Sequence, residues 1–166
     1  INWIKRNKIK SAIVLILLLI YYFSIPRTLF QEPYSTVIES KEGELLGAKI
    51  ADDGQWRFPA QDSVPDKFKK CIVYFEDEYF YKHPGFNPVA MVNAIKQNRK
   101  AGKVVRGGST LTQQVIRLSR KGKRRTYFEK VIEIILATRL ELGYSKDEIL
   151  ELYAAHAPFG GNVVGL

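Results

Sequence analysis

RGGSTLTQQVIRLSR, residues 106–120, carries the pattern that sets the fold class. Two glycines lead into a hydroxyl pair, after which Leu111, Val115 and Leu118 recur at spacings of four and three, the period of a helix with one apolar face. Ser109 stands where a capping hydroxyl belongs, so the stretch reads as a helix over residues 110–120 entered from a flexible loop. Further helices flank it. Upstream, Ser63-Val64-Pro65-Asp66 puts a capping hydroxyl and an early proline before an apolar-periodic run over residues 68–75, and Asn87-Pro88 opens a helix that Ala101-Gly102 closes. Downstream, residues 128–142 form a run that stops at Gly143. Ser145-Lys146-Asp147-Glu148 then makes a capping box for a helix through Tyr153, with Ile149, Leu150 and Leu152 apolar. The fold class is therefore mainly α.

The N-terminal third reads differently. STVIES (residues 35–40) and ELLGAKI (44–50) are β-like runs separated by Lys41-Glu42-Gly43, and Asp52-Asp53-Gly54 marks a turn, so residues 31–58 form a small β connector. SAIVLILLLIYYFSI, residues 11–25, carries no charge and follows Lys5, Arg6, Lys8 and Lys10. At about 1.5 Å per residue the run covers only ~22 Å of a hydrocarbon core about 30 Å thick. It serves as a single transmembrane helix over residues 11–30 if residues 26–30 lengthen it or the bilayer thins, with Tyr21, Tyr22 and Phe23 in the interfacial belt and residues 1–10 as a cytoplasmic basic tail. A cleaved signal peptide is the competing reading, against which no small-x-small site follows. A buried hairpin helix is a third.

With 166 residues and 46% hydrophobic content, the chain can bury one ordinary core. Its net charge of +9 calls for an anionic partner. A domain exported across a membrane meets lipid headgroups and wall precursors, so no nucleic acid is expected. Cys71, the only cysteine, excludes an intrachain disulfide, a thiolate zinc site and an iron–sulfur cluster, and reads as a small buried hydrophobe. Beginning at Ile1 and stopping at Leu166 after a glycine-rich run, the sequence reads as a piece of something longer.

Three stretches could carry chemistry. EDEYFYKHPG, residues 76–85, places acids at a helix end beside aromatic rings, where partial desolvation raises a carboxyl pKa toward the range of a general acid or base. The bland alternative is a set of solvated acids followed by a His83-Pro84-Gly85 turn. RGGSTLTQQ, residues 106–114, offers backbone N–H groups, hydroxyls and amides at a helix start, a phosphate or sugar clamp that lacks the spacing of a P-loop. Arg117, Arg120, Lys121, Lys123, Arg124 and Arg125 form a dense basic stretch that suits an anionic lipid headgroup or a diphosphate, or else is a solvated loop. Lys130 and Glu133 share a helical face, so a cation and a carboxylate can converge on one ligand.

In this order the stretches resemble the glycosyltransferase family 51 domain of bifunctional penicillin-binding proteins and monofunctional peptidoglycan transglycosylases. EDEYFYKHPG is similar to the family's ED-x-x-F-x-x-H-x-G motif, and GGSTLTQQ (residues 107–114) to GGST-[IL]-TQQ. The region from Lys130 through Glu133 to SKDEILELY (residues 145–153) resembles the third and fourth motifs, and APFGGNVVGL (157–166) is most similar to the penicillin-binding protein 1C branch. The resemblance spans roughly residues 58–166. It implies a lysozyme-like glycosyltransferase domain over residues 59–166, truncated at its C-terminal side, that polymerises lipid II into glycan strands with release of undecaprenyl diphosphate.

By the same resemblance, Glu76 is the base that deprotonates the sugar 4-hydroxyl, and Glu133 assists the departing diphosphate or orients the acceptor. Asp77, His83, Gly107, Gly108, Ser109, Thr110, Gln113 and Gln114 line the substrate cleft. Arg117, Arg124, Arg125 and Lys130 face the diphosphate. No resident metal is implied, although a divalent cation (Mg or Mn) at the diphosphate is allowed. The expected partners are lipid II, the lipid-linked growing strand, the membrane and other cell-wall synthesis proteins. The expected location is the bacterial inner membrane, single-pass, with an extracytoplasmic catalytic domain. Three features depart from the family pattern. Glu129 stands where many members have arginine, Ala154-Ala155 replaces a Leu-Asn, and His156 has no assigned role. A lysozyme-type hydrolase and a non-catalytic membrane scaffold are the rival readings.

Overall fold

In the computed structural model, residues 7–59, 63–121 and 123–166 are described. They contain six α-helices: α1 (Lys8–Tyr22), α2 (Asp66–Glu76), α3 (Pro88–Ala101), α4 (Leu111–Ser119), α5 (Tyr127–Glu141) and α6 (Lys146–His156), with a single 3-10 turn at Phe80–Lys82. The mainly α expectation holds for the chain from α2 onward.

Where the caps are local, the chain folds as its punctuation demands. The Asn87 side chain accepts from Ala90 N–H at 3.0 Å to start α3. At Ser145 the reciprocal box with Glu148 opens α6, which runs on to His156, past the expected Tyr153. By contrast, α2 starts at Pro65 with no side-chain cap. Its Ile72 and Val73 pack against the core while Cys71 faces out, so the expected buried cysteine is an exposed one.

Helix α4 lies at the centre. Leu111, Val115 and Ile116 meet Leu136, Ala137 and Leu140 of α5, Ile149, Leu150 and Tyr153 of α6, and Phe80 of the 3-10 turn. Because α4 is enclosed on most sides, even its polar Thr112 and Gln113 are fully buried. Buried polar groups need partners, and Thr112 Oγ1 donates to Glu141 Oε1 at 2.6 Å. The turn before α3 runs tightly against α5. Gly85 sits at φ +88°, and a Cβ there would lie 2.7 Å from the Ala137 carbonyl.

Strands β1 (Thr36–Glu39) and β2 (Leu45–Lys49) pair antiparallel in the expected hairpin. Strand β3 (Trp56–Arg57) instead joins β4 (Pro158–Gly160) and β5 (Val163–Val164) in a second sheet of order β3-β5-β4. Residues on either side of the helical body are thus stitched together. The fully buried Arg57 adds to this by donating to Pro33 O at 2.6 Å and to Asp53 at 3.1 Å.

The transmembrane expectation is overturned. Helix α1 has 15 residues, about 22 Å of rise, and no helix among the described residues is long and apolar enough to cross a membrane. Residues 26–30 do not lengthen it, because the helix closes at Phe23, whose N–H bonds to Leu19 O at 2.9 Å, and Ser24 Oγ turns back to Tyr21 O at 2.7 Å. Pro26 follows, and Ile25, Leu29 and Phe30 pack against the core cluster instead. The end of α1 is fastened to α5 by Tyr21 Oη and Thr138 Oγ1 at 3.0 Å and by Arg139 Nε donating to Tyr22 O at 2.9 Å. Of the basic tail, residues 1–6 lie outside the described residues.

Leu140 and Leu142 stand two residues apart, one fully buried and one 73% exposed. Leu140→Ala should lower unfolding free energy by about 2–5 kcal/mol, and Leu142→Ala by no more than about 0.5 kcal/mol. Denaturant melts of the two variants test this, and equal losses would refute the placement of the core.

Candidate active site

The site is built where the end of α2 meets the start of α4. Asp77, at the C-cap of α2, is buried, and its Oδ2 accepts the Leu111 N–H at 3.0 Å. His83 Nε2 donates into the same carboxylate at 3.0 Å. Across the joint, Thr110 Oγ1 donates to Gly85 O at 2.6 Å while accepting the Gln113 N–H at 3.2 Å. Thr110, not Ser109, is therefore the cap of α4. The residue pattern pointed to Ser109, but that hydroxyl is engaged by a lysine from another helix.

With this joint closed, Glu76 falls beside α4, and Gln114 Nε2 donates to Glu76 Oε2 at 2.8 Å. The neighbouring Gln113 faces Lys130 on α5. Lys130 Nζ donates to Gln113 Oε1 at 2.7 Å, Ser109 Oγ at 2.8 Å and Glu133 Oε2 at 3.2 Å. Burial, first of all, holds the Lys130 ammonium below the usual lysine range, with nearby Glu133 pulling the other way. Consecutive side chains on one helix thus hold a carboxylate and a half-buried cation.

Beyond Lys130 opens a cleft of about 510 Å³, lined by Ser109, Arg117, Arg120, Lys121, Lys123, Arg124, Arg125, Lys130, Glu129 and Glu133 among others. Its cations are partly compensated. Arg120 Nε meets Glu129 Oε1 at 2.6 Å, Lys121 Nζ meets Glu32 Oε1 at 3.1 Å, and Lys130 meets Glu133. Arg117, Lys123, Arg124 and Arg125 have no carboxylate partner among the described residues. Such a cleft attracts anions, and a multiply charged one most strongly.

Most of the residues singled out from the sequence converge here, in differing ways. Glu133, Ser109, Arg117, Arg124, Arg125 and Lys130 line the cleft, and Gln113 touches it through Lys130. Asp77, His83 and Thr110 form the joint behind it. Gly108 packs against α3, where a Cβ would lie 3.1 Å from the Met91 Cα, while Gly107 stands in open space. Two participants lacked a clear signal. Tyr153 on α6 is buried, and its phenol is pushed up by burial and then by the charge of Glu76, with Arg117 opposing. Glu32 comes from the segment ahead of the hairpin, remote in sequence from every basic residue it serves.

The two carboxylates of the cleft wall, Glu129 and Glu133, are held by Arg120 and Lys130, and no group of three or more acidic, histidine or cysteine side chains is positioned to hold a metal ion among the described residues.

Comparison with known proteins places this geometry in a lineage. The transglycosylase family model matches residues 42–166. Penicillin-binding protein 1C of Escherichia coli is 37% identical over 142 residues, covering 85% of this chain and 18% of the relative. Penicillin-binding protein 1A/1B of Bacillus subtilis is 37% identical over 145 residues, covering 86% and 15%. The biosynthetic peptidoglycan transglycosylase of Alcanivorax borkumensis is 40% identical over 104 residues, covering 63% and 42%. The chain thus spans less than half the length of each of these relatives. With most of its length matched and its cleft built from the matched segment, the chain belongs to the transglycosylase family.

Proposed function

We propose that the chain is the catalytic region of a peptidoglycan glycosyltransferase that joins lipid-linked disaccharide units, lipid II, into glycan strands in cell-wall synthesis. The observation that carries this reading is the adjacency on α4 of Gln114, which holds Glu76, and Gln113, which holds Lys130 at the mouth of the cation-lined cleft. Transfer from a lipid diphosphate needs a base for the attacking hydroxyl and a cluster of positive charge where the leaving group gathers negative charge. Glu76 takes the proton of the acceptor 4-hydroxyl as its oxygen attacks the anomeric carbon. As the bond from that carbon to the diphosphate oxygen breaks, the charge released falls to Arg117, Lys123, Arg124 and Arg125. Glu133 keeps Lys130 charged and oriented at the boundary between the two. Work on a lipid-borne substrate puts the reaction at the extracytoplasmic membrane surface, alongside other wall-synthesis proteins. No step above needs a divalent cation.

A glycan hydrolase would need a second carboxylate free to act opposite Glu76. Asp77 is spent on His83 and the Leu111 N–H, and Glu133 on Lys130, which favours transfer over cleavage.

Two measurements test the assignment. With labelled lipid II in detergent, the wild type should yield a glycan ladder, and Glu76→Gln should reduce the rate by about 10²–10⁴-fold. Cleavage of preformed strands without a ladder would instead establish the hydrolase. The second concerns pH. Lys130 carries its charge below its own pKa, which burial has lowered, so the cation is lost at lower pH than on an exposed lysine. The alkaline limb of the rate profile should follow that loss, and Lys130→Arg, which stays charged throughout, should move the limb upward. Coincident limbs in the two proteins would show that Lys130 does not set it.

A further inference from the structure

The segment between α1 and the hairpin reaches the cleft. Phe30 stacks on His156 at the end of α6, with ring centroids 3.6 Å apart and planes 6° from parallel. Two residues on, Glu32 Oε1 meets Lys121 Nζ at 3.1 Å. The other Glu32 oxygen is buried without a hydrogen-bond partner and faces His156 Nδ1, equally buried and unpartnered, at 4.0 Å, too far for a hydrogen bond. Burial chiefly, with Arg57 and Lys121 adding and Glu32 opposing, holds His156 below the usual histidine range, so the ring stacks on Phe30 as neutral imidazole at neutral pH.

Lys121 lies in the connection between α4 and α5, which carries the basic residues of the cleft wall. Among the described residues its backbone bonds are Arg120 N–H to Arg117 O at 3.2 Å and Lys123 N–H to Arg120 O at 3.4 Å. What fixes it from outside is a pair of acids, Glu129 on Arg120 and Glu32 on Lys121. Glu129 belongs to the adjoining helix, whereas Glu32 arrives from a different part of the chain and is seated by the Phe30–His156 stack.

On these grounds, and resting on the transferase reading above, we propose that Glu32 is a positioning residue for glycosyl transfer, acting through Lys121 to hold the basic α4–α5 connection in the geometry that receives the diphosphate. His156 has its role here, as the platform that seats the segment carrying Glu32. When Glu32 is removed, the like charges of the connection spread apart, and substrate binding must gather them again. The loss therefore falls on KM, while kcat, set by Glu76 and the assembled site, is spared.

Steady-state polymerisation of lipid II by Glu32→Gln, Lys121→Met and the double variant tests this. Glu32→Gln should raise KM about fivefold, the upper range for a part-exposed ion pair, with kcat within about twofold. Adding it to Lys121→Met should change KM no further. Brief trypsin treatment supplies a readout independent of turnover, since the connection is full of Lys and Arg: Glu32→Gln should speed cleavage within residues 120–126 while the helices stay intact. Additive effects on KM, or unchanged KM with unchanged cleavage, would overturn the positioning role even if the wild type polymerises. A wild type that makes no ladder would remove the transferase reading and this proposal together. General loss of the folded core in Glu32→Gln, seen as cleavage throughout, would also refute it, since Glu32 would then support the fold at large and not this one connection.

Discussion

The Asp77 carboxylate is the joint on which the site depends. It receives the first free N–H of α4 and the His83 ring together, so the end of α2 and the start of α4 can meet in only one way. A helix start exposes several unsatisfied N–H groups, and a buried carboxylate is costly unless it is hydrogen-bonded. Each requirement answers the other. Glu76 precedes Asp77 by one residue, and its approach to Gln114 follows from that closure. The proposed role of Glu76 as base requires an immobile helix terminus, and here two polar bonds and the Thr110–Gly85 contact secure it.

The same logic of obligatory satisfaction extends through α4. A nine-residue helix buried on most sides cannot present a purely apolar surface when it must also serve a polar site. Thr112 is answered by Glu141, which Lys146 also grips at 2.7 Å, and Gln113 by Lys130. Polar networks of this kind stabilise most when complete, and here Gln113 Nε2 stays buried without a hydrogen-bond partner. Their members come from α4, α5 and α6, so they tie the helices into one arrangement where apolar packing alone would leave several open.

How much of this could be read from the residues depended on distance along the chain. Asn87 and Ser145 were legible as caps because the side chain and the N–H it accepts lie within three residues of each other. Ser109 was misjudged because Lys130, 21 residues away, claims its hydroxyl and leaves Thr110 as the cap. The hairpin followed from local turns, yet β3 could not, since its two residues gain strand character only by pairing with Val163 and Val164. Cys71 had an apolar neighbourhood in sequence, and only the direction in which α2 presents Ile72 and Val73 decides that it faces out. For α1, the uncharged run was plain, but its effective length was not. Ser24 and Pro26 end the helix, and the residues beyond serve the core. Around the cleft, motif order singled out Glu76 and Lys130 as candidates, and both are held by side chains of α4. The part supplied by Glu32 was invisible, since an isolated acid before a β-hairpin carries no local signature.

The distribution of charge explains why a chain of net charge +9 needs acids inside its most basic region. Seven cations around one cleft would repel one another and splay the connection that bears them, and a flexible array binds a multivalent anion weakly because binding must order it. Glu32, Glu129 and Glu133 each pair with one cation at the margin, two of them from α5 and Glu32 from the segment ahead of the hairpin. Four cations then remain without a carboxylate partner among the described residues. Lys130 shows the limit of this arrangement. Its burial works against its charge, and it is stabilised as an ammonium by oxygens of Ser109 ahead of α4, Gln113 on α4 and Glu133 on α5. Fewer acids would leave the frame loose, and more would cancel the field the ligand requires. With three cations paired and four free of carboxylates among the described residues, the cleft is tied at its margin and still attractive to an anion.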